Sequence, residues 1–234
     1  MFYYFYDWTY ILVLIGVLIC LAASARVRQV FAKYSRVQSR MRMTGKEAAE
    51  EILRRNGIYD VQVIHIPGNL TDHYNPGNKT LGLSDTVYQS SSVAAVGVAA
   101  HECGHAVQHA MGYAPLSIRG ALVPVANFGS AVAWPLILIG LLINGETSLL
   151  LINLGILLFS AAVLFQLVTL PVEFNASRRA VKALGASGML YPDEVASVKK
   201  VLGAAALTYV AGAASAILQL LRLLILTGGR RRND

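Results

Sequence analysis

The sequence predicts a mainly α, polytopic membrane chain with a small cytoplasmic α+β portion. Of its 234 residues 55% are hydrophobic and only 14% are charged, with a mean hydropathy of +0.52. A soluble domain carries about 25% charged residues. Four apolar runs, at about 8–25, 121–143, 149–170 and 202–226, each approach the ~20 residues that cross a bilayer as a helix. A polar stretch, 26–120, separates the first run from the second and contains the turn clusters and short alternating segments expected of an α+β unit. These patterns divide the chain into an anchor (1–25), a polar portion (26–120), two spans (121–170), a second polar segment (171–201), and a final helix with a basic tail (202–234).

The first run is preceded by Tyr3, Tyr4, Tyr6, Trp8 and Tyr10, as an aromatic belt at a membrane interface would be. Ala23-Ser24-Ala25 resembles a signal-peptide cleavage site, but the positive charges follow the apolar core instead of preceding it, which favours an uncleaved anchor. The basic stretch 26–42 then places residues 26–120 in the cytoplasm by the positive-inside rule. Asn144-Gly145-Glu146-Thr147-Ser148 becomes a short external loop, and Arg178, Arg179, Lys182, Lys199 and Lys200 return 171–200 to the cytoplasm. The fourth run fits less well. If it crosses, Arg230-Arg231-Arg232 lie outside and Arg222 sits within the span, where it must face protein or snorkel; otherwise the helix is interfacial or re-entrant.

The net charge of +7 does not point to nucleic acid, because its basic clusters flank apolar runs, where they contact lipid headgroups and set orientation. No nucleic-acid-binding module is present. Cys20 falls in an apolar run and Cys103 in a helical one, so a disulfide framework is not expected.

Within the polar portion, Thr44-Gly45-Lys46-Glu47 is a capping box opening a helix to about Asn56, which Gly57 stops. Val61–Ile66 alternates as a strand. Two turn clusters, 67–69 and 75–78, follow, the second leading into a short strand at Lys79–Leu83 that could offer an edge for an extended substrate. From Ser91 to Met111 the chain is alanine-rich and free of proline, a helix closing at Gly112.

That helix carries His101-Glu102-Cys103-Gly104-His105. Positions i and i+4 share a helix face, so the two imidazoles can grip one Zn²⁺ per chain while Glu102 takes a proton from metal-bound water. A catalytic zinc needs a third protein ligand and an open position. His109 lies one turn further, but His101 and His109 are about 12 Å apart along one straight helix, too far to close round a tetrahedral ion. Glu173, after Pro171 at the end of the third apolar run, is the better candidate: it opens a polar segment that reads as a second helix. A carboxylate there would otherwise be explained as complementing a helix dipole. Gly104 inside the helix costs about 1 kcal/mol against alanine, which suggests close approach of another backbone or of substrate. Cys103 reads as a buried small residue.

The segments HECGHAVQH at 101–109 and PVEFNASRRA at 171–180 resemble the paired motifs of the neutral zinc metallopeptidases of bacterial membranes, the YugP-like family. That family is more remotely similar to the HtpX-type gluzincin proteases. The resemblance extends to DHYNP at 72–76 and LTYVA at 207–211. It implies a zincin-like fold for the polar portion, His101, His105 and Glu173 as zinc ligands, and Glu102 as catalytic base. The HtpX-type pattern places an aspartate four residues after the ligand Glu; here that position is Ser177, with Asn175 nearby, so the group orienting the first His is open between them. His73, His109, Arg178 and Tyr209 are candidates for stabilising the oxyanion.

The expected function is therefore a bacterial multi-pass membrane zinc endopeptidase, its site on the cytoplasmic face and its substrates membrane or membrane-proximal proteins. A non-catalytic zinc-containing scaffold and a hydrolase of non-peptide amides are the competing readings. Gly203, Ala204, Ala211, Gly212 and Ala216 would also permit close helix packing between protomers of a homo-oligomer.

Overall fold

A computed structural model describes residues 7–230. In chain order these form α1 (Tyr10–Tyr34), α2 (Gly45–Arg55), β1 (Gln62–His65), β2 (His73–Asn75), β3 (Thr80–Leu83), α3 (Val93–Ala110), α4 (Ala114–Leu142), α5 (Glu146–Ala186) and α6 (Pro192–Arg230). The chain is mainly helical, with one small sheet. Residues 1–23, 118–170 and 208–234 make one compact unit, and 24–117 with 171–207 make the other.

The first unit is apolar on its outside. Leu14 and Leu18 of α1, Leu138 and Leu142 of α4, Leu157 and Leu164 of α5 and Leu224 of α6 are all exposed. Side chains of this kind in such number belong in lipid rather than water. α1, α4, α5 and α6 are each long and apolar enough to cross a membrane. α4 and α5 meet backbone to backbone: a Cβ on Gly129 would lie 2.7 Å from the Leu158 carbonyl oxygen, and one on Gly155 2.9 Å from that of Ala133. Arg222 faces protein. Its guanidinium donates to the Asp7 carboxylate at 2.9 Å and lies over the Tyr10 ring, 4.1 Å from the centroid. Of the expected aromatic belt, Trp8 and Tyr10 are exposed, while Tyr3, Tyr4 and Tyr6 lie outside the described residues.

In the second unit the capping box forms as expected, with the Thr44 hydroxyl accepting from the Glu47 N–H and the Glu47 carboxylate from the Thr44 N–H. Gly57, at φ +71°, ends that helix. α2 buries Ala48, Ala49, Ile52 and Leu53 against α3, where the Cys103 thiol reaches the Ala49 carbonyl at 3.5 Å. α3 starts at its N-cap Ser92, whose hydroxyl accepts from the Ala95 N–H. Leu81 and Leu83 of β3, Ala180 and Leu184 of α5, and Val195 and Val198 of α6 complete the core around α3.

Two expectations are corrected. The Lys79–Leu83 strand is not an edge: the sheet order is β1-β3-β2, with β1 parallel and β2 antiparallel to β3. Leu81 and Leu83 alternate with Gly82 so that β3 inserts its large side chains into the core, which makes it the natural centre. The unexpected third strand, β2, arises between the two turn clusters and takes in Asn75 from the second; it pairs His73 with Gly82 and Asn75 with Thr80. Pro171, in turn, opens no new helix. α5 runs unbroken through it for 41 residues, so Glu173 sits in a helix interior and a dipole-complementing role does not apply. A proline inside a long apolar helix is tolerated where packing compensates the lost N–H, as it also is at Pro124 and Pro135 of α4.

Candidate metal centre

α3 and the 171–186 part of α5 approach at a single close point. A Cβ on Gly104 would lie 2.5 Å from the Ala176 carbonyl oxygen, so only glycine fits there, the backbone contact expected from the sequence. On α5, Glu173, Ala176 and Ser177 fall on one helical stripe; on α3, His101, Gly104, His105 and Gln108 do. The glycine lets the two stripes face each other at side-chain reach.

The outcome is a convergence of three donors. One ligating atom each from His101, His105 and Glu173 lie within 4.8 Å of one another. Glu173 Oε2 is 3.3 Å from His101 Nε2 and 3.6 Å from His105 Nε2, and the two imidazoles stand edge to face at 86°. Donors held about 2.0–2.2 Å from a tetrahedral ion are separated by about 3.3 Å, so this set fits a metal of zinc's size and its preference for nitrogen and oxygen ligands. All three side chains are largely buried, Glu173 at 2% exposure.

Both rings turn Nε2 inward because Nδ1 is held from outside. His101 Nδ1 is 3.1 Å from Ser177 Oγ, and His105 Nδ1 is 3.0 Å from Gln108 Oε1. The second contact fixes a proton. Gln108 Nε2 donates to the Val172 backbone carbonyl at 2.8 Å, and a carbonyl can only accept. The other end of that amide is therefore its oxygen, so His105 Nδ1 carries hydrogen and Nε2 presents its lone pair to the metal position. Gln108 Nε2 also reaches Asn175 Oδ1 at 3.0 Å, which accepts from Arg179 Nε at 2.7 Å as well. Of the two residues considered for orienting the first histidine, Ser177 touches it; Asn175 belongs to the network behind the second.

Electrostatics follow from this packing. Burial pushes the Glu173 carboxyl up, but the adjoining imidazoles of His101 and His105 outweigh it and hold the group well below the usual carboxylate range. Burial pushes His105 down, yet the adjoining Glu173 carboxylate and the field of Glu102 raise it above the ordinary imidazole value.

Glu102, also buried, projects about 100° round α3 from His101. Its field reaches the Asp72 carboxyl, which is raised mainly by burial and accepts from Ser84 N–H at 2.8 Å and Ser84 Oγ at 2.9 Å. His109, on that same side of α3, is exposed and binds the Tyr74 hydroxyl through Nδ1 at 2.8 Å. His73 donates through Nδ1 to the Thr71 carbonyl at 3.0 Å, which leaves Nε2 without a proton in the neutral ring. Arg178 is exposed and lies about 140° round α5 from Glu173. Tyr209 belongs to the α6 portion of the first unit. Sequence reading missed Gln108, Tyr74 and Arg179. The spacing of Gln108, three residues after His105, was the one available signal, since i and i+3 share a face.

Comparison with known proteins identifies the family. Residues 9–228 match the family model described as "Putative neutral zinc metallopeptidase". A relative from Bacillus subtilis (strain 168), "Putative membrane protease YugP", is 49% identical over 212 residues, covering 90% of this chain and 93% of the relative. No solved structure matches. With nearly its whole length matched by the family model and 49% identity to a relative over 90% of its residues, the chain belongs to the neutral zinc metallopeptidase family.

Proposed function

We propose that the protein is a multi-pass membrane endopeptidase that hydrolyses peptide bonds of membrane or membrane-proximal proteins, with His101, His105 and Glu173 as ligands of one zinc ion and Glu102 as general base. The convergence of those three donors carries the reading. Bound zinc would supply a Lewis acid and a water acidified toward neutrality. Glu102 takes the water proton and passes it to the leaving amine. Gln108 and Ser177 hold the two imidazoles so that neither ring has to reorient on loading. Of the two edge strands, β2 is the one that packs against α3, and it could seat an extended substrate there, whereas β1 packs against α2. His109, braced by Tyr74 beside that edge, is the best placed of the candidate oxyanion donors. A scaffold with structural zinc would need a fourth protein ligand, and among the described residues the cluster has three. Membership of the family and the resemblance to a membrane protease support the peptidase reading; cytoplasmic placement of the site rests on the distribution of basic residues.

Glu102→Gln tests it. In purified full-length protein, hydrolysis of a quenched casein substrate should fall by at least about 100-fold. Zinc content, measured by mass spectrometry of the metal, should stay at one per chain. Undiminished cleavage by the variant would refute the assigned base.

A further inference from the structure

On the far side of α3 from Glu102 lies a cavity of about 250 Å³, lined by Ile52, Val107, Met111, Arg179, Lys182 and Ala183 among others. Its floor is apolar: Ile52 and Val107 are buried and Ala183 is half-buried. Its charged lining is wholly cationic, and the neutral Asn56 amide donates to the Ile52 carbonyl at 2.7 Å. The Arg179 guanidinium donates to Asn175 Oδ1 through Nε and to the Met111 thioether through Nη1 at 3.1 Å, both uncharged acceptors. Neither Arg179 nor Lys182 is ion-paired to a carboxylate among the described residues, and both line this one cavity. A thioether is a weak acceptor for a guanidinium, whose fork geometry matches a carboxylate. Two cations without anions beside an apolar floor are complementary to one kind of molecule, a monocarboxylate joined to an apolar group.

We propose that this cavity binds an apolar carboxylate, its carboxylate on Arg179 and Lys182 and its hydrocarbon on Ile52, Val107 and Ala183. The site is connected to the metal centre. Arg179 holds Asn175, Asn175 accepts from Gln108, and Gln108 holds His105. A carboxylate that draws the guanidinium toward the cavity takes a donor from Asn175 Oδ1, releasing that side chain and with it one of the two acceptors that fix the Gln108 amide. Occupancy therefore loosens His105 and weakens zinc. By reciprocity, zinc weakens the carboxylate by the same factor. The coupling rests on the metal-site reading above; the cavity itself does not.

The test uses full-length protein in a nonionic detergent, first stripped of metal. Octanoate represents a fatty-acid source and N-acetyl-leucine a peptide chain end, with octanol as the uncharged control. Saturable one-to-one binding of at least one carboxylate is expected by titration calorimetry, with octanol weaker by about tenfold or more, as loss of a charge-assisted contact predicts. The tighter of the two carboxylates identifies the source. Lys182→Gln, an exposed substitution that leaves the core alone, should weaken the carboxylate about fivefold. Competition with a chromophoric chelator should then show zinc held about fivefold more weakly in saturating carboxylate, within the usual range for coupled sites. Octanol binding as tightly as octanoate, or Lys182→Gln binding like the parent, would overturn the site. Zinc affinity unchanged by a bound carboxylate would overturn the relay. If the stripped protein takes up no zinc at all, the proposed function fails while the cavity still stands or falls on the first titration.

Discussion

The amide of Gln108 is fixed at one end by a group that can only accept, and this sets the proton on His105 two bonds away. Gln108→Leu keeps the volume but removes that control, and zinc affinity should fall 10- to 100-fold, read by chelator competition. The raised pKa of His105 gives a pH dependence whose sign differs between the two forms. In metal-free protein the protonated His105–Glu173 pair stabilises the fold fully below the ordinary imidazole value of 6.5, and that contribution is lost as pH rises through the higher folded value. Zinc needs the neutral ring, so its affinity falls as pH drops through the same value. The gap in Tm between zinc-loaded and chelated protein should therefore widen from about pH 5.5 to about pH 8.5. A gap that narrows with rising pH would contradict the assignment. Cys103 belongs at this scale too. Burial pushes its thiol well above the usual range, so it should resist maleimide in the folded protein and react only on unfolding. The motif residues and the small buried character of Cys103 were legible because helical spacing alone places them. The hydrogen-bond partners of the two histidines were not, because they depend on which residue of another helix lies opposite.

Between elements, the crossing of α3 and α5 has no slack. Gly104→Ala would drive a Cβ to 2.5 Å from the Ala176 carbonyl oxygen, and the helices must separate or the substitution must strain the backbone. A loss of about 1–3 kcal/mol is expected from overpacking, together with weaker zinc, because the same contact brings Glu173 into range. Thermal unfolding and zinc competition on one preparation would show both or neither. Sequence reading found the glycine's meaning but misjudged two elements. Asp72-His73-Tyr74-Asn75-Pro76 has turn composition, and only pairing with β3 makes three of its residues a strand. Pro171 carries the usual sign of a helix boundary, and the helix continues through it regardless.

At the scale of the molecule, the four apolar helices and the split between lipid-facing and polar portions follow directly from hydropathy. The exception was Arg222, whose place depends on the far end of the chain. It pairs with Asp7, 215 residues away in sequence. Removing one partner leaves a largely buried charge, so Arg222→Leu and Asp7→Leu should each lower stability by about 1–3 kcal/mol. The double variant should recover much of that, since an apolar pair needs no compensation there. Unfolding of the three variants in mixed micelles closes the cycle; strictly additive losses would mean the pair contributes nothing jointly.

The stripe on α5 also limits how this protein can change over evolutionary time. Glu173, Ala176, Ser177, Ala180 and Leu184 meet a metal position, a glycine, a histidine and the core in turn. Inserting or deleting one residue among them rotates everything beyond by about 100°. No single substitution elsewhere restores all of those contacts. Substitutions can accumulate along the helix while its length cannot drift, and variation in length is left to the turns at 67–72 and 76–79 that flank β2 at an edge of the sheet.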